Sequence, residues 1–156
     1  MEKIGIIGTG ATKFGELWKQ SLRDLLAESQ LKAIQDAKIS EKDIDMIFTG
    51  NMCSGEFSGQ NHLGSMAAEI LNVNVPSIRV EAACASGSVA LRQGIQAIKS
   101  GEADIVLVNG VEKMTDVQTR QATTGLMGAG DEEWEGFNGL TFCGLYAMMA
   151  RAYMHK

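Results

Sequence analysis

The residues best placed to do chemistry lie in the stretch Val80-Glu81-Ala82-Ala83-Cys84-Ala85-Ser86-Gly87-Ser88-Val89-Ala90-Leu91. A strand-like segment runs straight into a helix-like one, with a cysteine at the junction and small residues around it. A thiol there would sit at a helix N-terminus, where unpaired backbone N–H groups and the helix dipole favour the thiolate. Such a thiolate suits acyl transfer: it attacks a thioester carbonyl while a backbone N–H at the helix start helps to hold the developing oxyanion. On position alone, the competing reading is a small buried core cysteine. Ser86 does not form a G-x-S-x-G elbow, because Cys84 stands where the first glycine belongs.

The other candidates are weaker. Cys53, Cys84 and Cys143 form no C-x-x-C pair and have no histidines at ligand spacing, so neither a disulfide framework nor a metal site is expected. Cys53 and Cys143 read first as free thiols, although Cys53 follows a strand on the side where open α/β sheets keep their ligands. His62 opens a helical segment and reads as a solvated or capping residue rather than a catalytic base. Gly8-Thr9-Gly10 begins like a dinucleotide fingerprint, but the third glycine is replaced by Lys13 and no helix opens there, so a tight turn is expected.

The elements that must position Cys84 follow from the hydrophobic pattern. Lys3 to Gly8 predicts a buried first strand. Ser21 to Ala37 predicts a helix with a capping box from Ser21 and Asp24, its face made by Leu22, Leu25, Leu26, Ser29 and Ala33. Ile44 to Thr49 is a second strand, residues 51–60 a polar loop, and Gln60 to Asn72 a second helix. Ser77 to Ala82 alternates in polarity, which suits an edge strand, and pairing with the same strand of a second copy would give an isologous dimer. The helix after Cys84 is apolar around most of its circumference and reads as buried on nearly all sides. Its Gly87 and Gly94 are expected where another backbone passes close by. Asp104 to Val108 is a continuous apolar run typical of a buried parallel strand. Residues 116–140 read as a long loop, and Leu145 to Met154 as a last helix. Strand and helix alternate as βαβαβαβ, an α/β chain with a mostly parallel sheet.

Composition narrows the function classes. A chain of 156 residues with 45% apolar content is long enough for one domain with a core. Its net charge of −5, with 14 scattered Lys and Arg residues, gives no basic stripe for nucleic acid. No apolar run approaches the roughly 18 residues of a spanning helix, and Met1-Glu2-Lys3-Ile4-Gly5 has no signal-peptide pattern. A cytoplasmic location without membrane contact is therefore expected.

Glu81-Ala82-Ala83-Cys84-Ala85-Ser86-Gly87-Ser88 resembles the nucleophile segment of the thiolases, most like the archaeal and sterol-carrier-protein type. Lys3 to Gly10, Gly50-Asn51-Met52, Gly59-Gln60-Asn61, Gly110-Val111-Glu112-Lys113-Met114 and Leu140 to Met154 also look like successive segments of those enzymes. The resemblance implies a three-layer half-molecule over residues 1–115, incomplete because its final strand is missing, and the beginning of an inserted loop domain over 116–156. It implies an acyltransferase of the acetyl-CoA acetyltransferase type that uses a coenzyme A thioester as substrate, with no covalently bound cofactor and Cys84 as the acyl-accepting nucleophile. The family's further catalytic segments, Gly-His-Pro, an Asn-Glu segment and Cys-x-Gly, belong to the second half and do not occur here. Neither His62, His155 nor Cys143 occupies a matching position. The expectation is an N-terminal part that is inactive alone and needs a C-terminal half, in a protein that is a homodimer or larger. The alternative is an assembly subunit whose partner chain supplies the rest.

Overall fold

Three parallel strands organise the molecule, whose computed structural model describes residues 3–155. Met1, Glu2 and Lys156, touched by the readings of the two termini, lie outside the described residues. The strands are β1 (Met46–Gly50), β2 (Ser77–Val80) and β3 (Val106–Gly110), in the order β2-β1-β3. In this register Phe48 pairs with Ile78 and Val108, and Gly50 pairs with Val80 and Gly110. All three strands end level, so their carboxyl ends form one edge from which loops rise.

Alternating side chains on β1 split the core into two layers. Ile47 packs with Leu107, with Leu26 and Ile34 of α1 (Leu22–Ala37), and with Ala67 and Leu71 of α3 (Leu63–Leu71). Phe48 faces the other way, toward Ala90 and Ala97 of α4 (Ser86–Ser100) and toward Val80, Val106 and Val108. The result is the expected α/β/α layering around a parallel sheet.

Local chemistry explains the helix ends. Ser21 caps α1 by accepting from the Asp24 N–H at 3.1 Å, while the Asp24 carboxylate accepts from the Ser21 N–H at 2.8 Å. The buried face of α1 is rotated from the expected one, however: Gln30 and Ile34 are inside, while Ser29 and Ala33 are only half-buried. Gly94 of α4 sits where a Cβ would meet the Val108 side chain at 2.9 Å, a side-chain contact and not the backbone approach expected of it, and a Cβ on Gly87 would meet nothing within 4 Å.

Four expectations need correction. Lys3 to Gly8 does not join the sheet. It lies across α1, where a Cβ on Gly8 would meet the backbone nitrogen of Ala37 at 2.6 Å and one on Gly10 would meet that of Ala33 at 2.5 Å. Thr9 N–H is held by the Asp36 carboxylate at 2.8 Å, so the two glycines serve contact with a helix backbone and do not form the expected tight turn. Second, residues 51–60 are not all loop, since Ser54–Ser58 forms a short helix, α2. Third, residues 116–140 contain α5 (Thr119–Met127) and a turn of π-helix at Glu132–Gly136. Threonine and glycine hide α5 from a propensity reading, but Gly125 packs on the Phe57 ring and Gln121 Nε2 donates to the Glu56 carbonyl at 2.8 Å. Fourth, α4 is buried on one face only. Leu91 is 42% exposed because the opposite face borders a cleft.

That cleft, about 1010 Å³, separates Lys3–Gly10 from the outer edge of β3 and runs along α4 past Gly87, Leu91 and Ile98. The last helix, α6 (Phe142–Met154), is capped by Thr141 and buries none of its residues. Among the described residues no helix is long and apolar enough to cross a membrane.

Candidate active site

Cys84 is exposed at the carboxyl edge of the sheet, in a 3₁₀ turn (Ala83–Ala85) joining β2 to α4. It therefore stands one turn ahead of the α-helix proper. The turn is tightly bonded. Ser86 Oγ accepts from the Ala82 N–H at 2.9 Å and donates to the Ala83 carbonyl at 2.6 Å, and the Ala85 N–H donates to the Ala82 carbonyl at 2.9 Å. The Glu81 carboxylate accepts from the Ala83 N–H. Ala83, directly before the nucleophile candidate, has φ of 48°, in the left-handed region.

A second polar cluster holds the neighbouring strand ends. The Glu112 carboxylate, just beyond β3, accepts from Asn51 Nδ2 and from the Cys53 N–H, both at 3.0 Å. Asn51 also donates to the Val111 carbonyl at 2.7 Å and accepts from the Ser54 N–H at 3.1 Å, which starts α2. From β2, Arg79 Nη2 donates to the Met52 carbonyl at 2.7 Å. One loop after the central strand is thus held by residues from both flanking strands. Sequence reading missed Ser86, Asn51 and Glu112 as parts of this frame. The available signal was position: each is a polar residue within two places of a strand's carboxyl end or a helix start.

Cys53 is buried, its thiol donates to the Gly125 carbonyl at 3.3 Å, and burial together with the Glu112 charge pushes it up. Through this bond to Gly125, Cys53 joins α5 to the sheet edge. Cys143 is exposed in the first turn of α6. His62 precedes α3 without capping it through its side chain, and His155 follows α6. Among the described residues no three His, Cys, Asp or Glu side chains cluster as a metal site would require.

The comparisons agree with this architecture. The family described as the thiolase N-terminal domain matches residues 4–154. Acetyl-CoA acetyltransferase of Methanocaldococcus jannaschii is 54% identical over all of this chain and 40% of its own length. Its namesake in Methanothermobacter thermautotrophicus is 49% identical over the same shares. The chain thus spans about two fifths of the length of these curated relatives. Among solved structures, a thiolase of Ascaris suum in complex with coenzyme A superposes with a TM-score of 0.61 at 20% identity, over 71% of this chain and 29% of that one. A 3-oxoacyl-[acyl-carrier-protein] synthase III of Aquifex aeolicus gives 0.53 at 22% identity, over 63% and 32%. At such identities the two structures show a shared fold, whereas the match over residues 4–154 shows descent: the chain belongs to the thiolase family, as its N-terminal domain.

Proposed function

We propose that this chain is the nucleophile-bearing part of an acetyl-CoA acetyltransferase, with Cys84 as the acyl acceptor. The single observation that carries the reading is the exposed Cys84 on a bonded strand-to-helix turn, in a chain about half identical to two enzymes of that name. The Cys84 thiolate attacks the thioester carbonyl, the carbon–sulfur bond to coenzyme A breaks, and an acyl-cysteine and the coenzyme A thiolate result. The enolate of a second acetyl-CoA then attacks the acyl group, forming acetoacetyl-CoA and returning the thiolate. Thiolysis is the reverse. Forming the enolate requires a base, and no histidine of this chain lies in a family position for that role.

The base comes from a further portion of protein, either the continuation of the same chain or a complementary subunit. The cleft between Lys3–Gly10 and β3 supports this, because among the described residues no strand pairs with the outer edge of β3 there and the apolar face of α4 borders the same space. A strand from the missing portion would pair with that edge. Residues 1–115 then form the incomplete half and residues 116–156 the start of the loop domain. The reading also includes a cytoplasmic enzyme supplying isoprenoid or lipid synthesis, and a dimer formed through the β2 edge, where Ile78 is 48% exposed.

Steady-state assay with acetyl-CoA tests the proposal. The protein expressed from its full reading frame, together with any adjacent frame encoding the Gly-His-Pro and Cys-x-Gly segments, should form acetoacetyl-CoA. Cys84→Ala should abolish turnover, and the 156-residue chain alone should show none. Enzymatic rates from the short chain, or activity surviving Cys84→Ala, would overturn it.

A further inference from the structure

Ala83 adopts a backbone conformation that alanine disfavours by roughly 1–2 kcal/mol, and its side chain offers nothing that would hold it there. The stabilisation must come from its surroundings. Ser86 bonds on both sides of the strained position, accepting from the Ala82 N–H at 2.9 Å and donating to the Ala83 carbonyl at 2.6 Å, while the Glu81 carboxylate accepts only from the Ala83 N–H. It is only 5% exposed, so water does not compete for those bonds. Its own backbone is fixed from below, where Gly50 of β1 comes so near that a Cβ there would meet the Ser86 carbonyl oxygen at 2.6 Å.

We infer that Ser86 is a positioning residue for Cys84: its hydroxyl clamps Ala82 and Ala83 against the first turn of α4, holding Ala83 left-handed so that the thiol projects outward. The inference rests on the reading of Cys84 as the nucleophile. Remove the hydroxyl and Ala83 relaxes toward an ordinary conformation, turning Cys84 from its exposed position. The clamp matters only because residue 83 carries a Cβ. A glycine at that position occupies the left-handed region unaided, so it should make the hydroxyl largely dispensable.

The test compares Ser86→Thr with Ser86→Val, which have nearly the same shape and differ by a hydroxyl, each alone and with Ala83→Gly. The protein expressed from its full reading frame is treated with iodoacetamide, and peptide-resolved mass spectrometry gives the alkylation rate of Cys84 relative to exposed Cys143 in the same molecule. The threonine variant should keep the wild-type ratio. The valine variant should lower it about tenfold, the effect of losing a typical hydrogen bond, and Ala83→Gly should restore most of that loss. A general loss of stability would slow neither thiol selectively and would not be rescued by glycine. Equal ratios in the threonine and valine variants would overturn the inference while leaving Cys84 as nucleophile. A wild-type Cys84 no faster than Cys143 would instead overturn the nucleophile reading, and the clamp with it.

Discussion

Gly50, the last residue of the central strand, lies directly beneath Ser86, the first residue of α4: a Cβ added to Gly50 would stand 2.6 Å from the Ser86 carbonyl oxygen and 2.8 Å from Gly87 Cα. Both contacts are to backbone, which cannot swing aside as a flexible side chain would. Gly50→Ala should therefore lift the start of α4, destabilising the fold by about 1–3 kcal/mol, the usual cost of overpacking. Denaturant unfolding should show the loss. Cys84 alkylation should change as well, because the displaced turn carries it.

Lys113 and Asp116 make an asymmetric ion pair at 2.7 Å, with the Lys113 side chain 4% exposed and that of Asp116 44%. Lys113 also donates to the Leu17 carbonyl at 3.2 Å, tying the N-terminal arm to the loop after β3. Asp116→Ala leaves a cation buried without its carboxylate and should cost about 1–3 kcal/mol. Lys113→Met leaves Asp116 to water and should cost less. Denaturation midpoints of the two variants check the order, and an equal or reversed order would show that the pair is not organised by burial.

Asp45 joins the starts of two strands, accepting from the Ile105 and Asp104 N–H groups, each at 2.9 Å. These bonds, that of Ile105 foremost, hold its carboxyl below the usual carboxylate range. Asp24 is lowered likewise by the Ser21 backbone N–H and then by the Ser21 hydroxyl. A carboxylate depressed on folding stabilises the protein above its unfolded value and loses that contribution as pH falls through the folded value. Thermal stability should thus hold near neutrality and decline below about pH 4. Asp45→Asn should lower stability at neutral pH and flatten the acid decline. An unchanged acid profile in this variant would count against the role of Asp45.

The β2 edge offers an association surface. Ile78 is 48% exposed on an edge strand, and an isologous pairing would cover it in both copies. Sedimentation equilibrium should show a dimer that Ile78→Asp converts to monomer. A wild-type protein that sediments as a monomer at micromolar concentration would contradict the proposal.

Much of this fold was legible because its signals are local. Ser21 and Asp24 announce the start of α1, the run Ile105 to Val108 announces a parallel strand, although as an edge strand β3 buries only alternate residues and not the whole run, and the small residues around Cys84 announce a turn into a helix. What escaped depends on partners distant in sequence. Lys3 to Gly8 has the composition of a strand, but sheet membership requires a neighbour to bond with, and its glycines instead press on α1. The helix α5 exists through contacts with Phe57 and Glu56, roughly 65 residues away, which its threonine-rich sequence does not reveal. Cys53 lies past the end of a strand, as a site residue would, yet it is turned inward to Gly125. The clamp by Ser86 was hidden because its purpose is a positive φ at an alanine, which no residue type in the stretch advertises.

The most direct test of the account is to map the acyl group. Protein expressed from its full reading frame is incubated with labelled acetyl-CoA, quenched in acid to preserve thioesters, digested, and read peptide by peptide. One acetyl group should appear on Cys84 and be lost in Cys84→Ala, with none on Cys53 or Cys143. Label carried by either of those cysteines, or condensation proceeding while Cys84 stays unmodified at every time point, would contradict it.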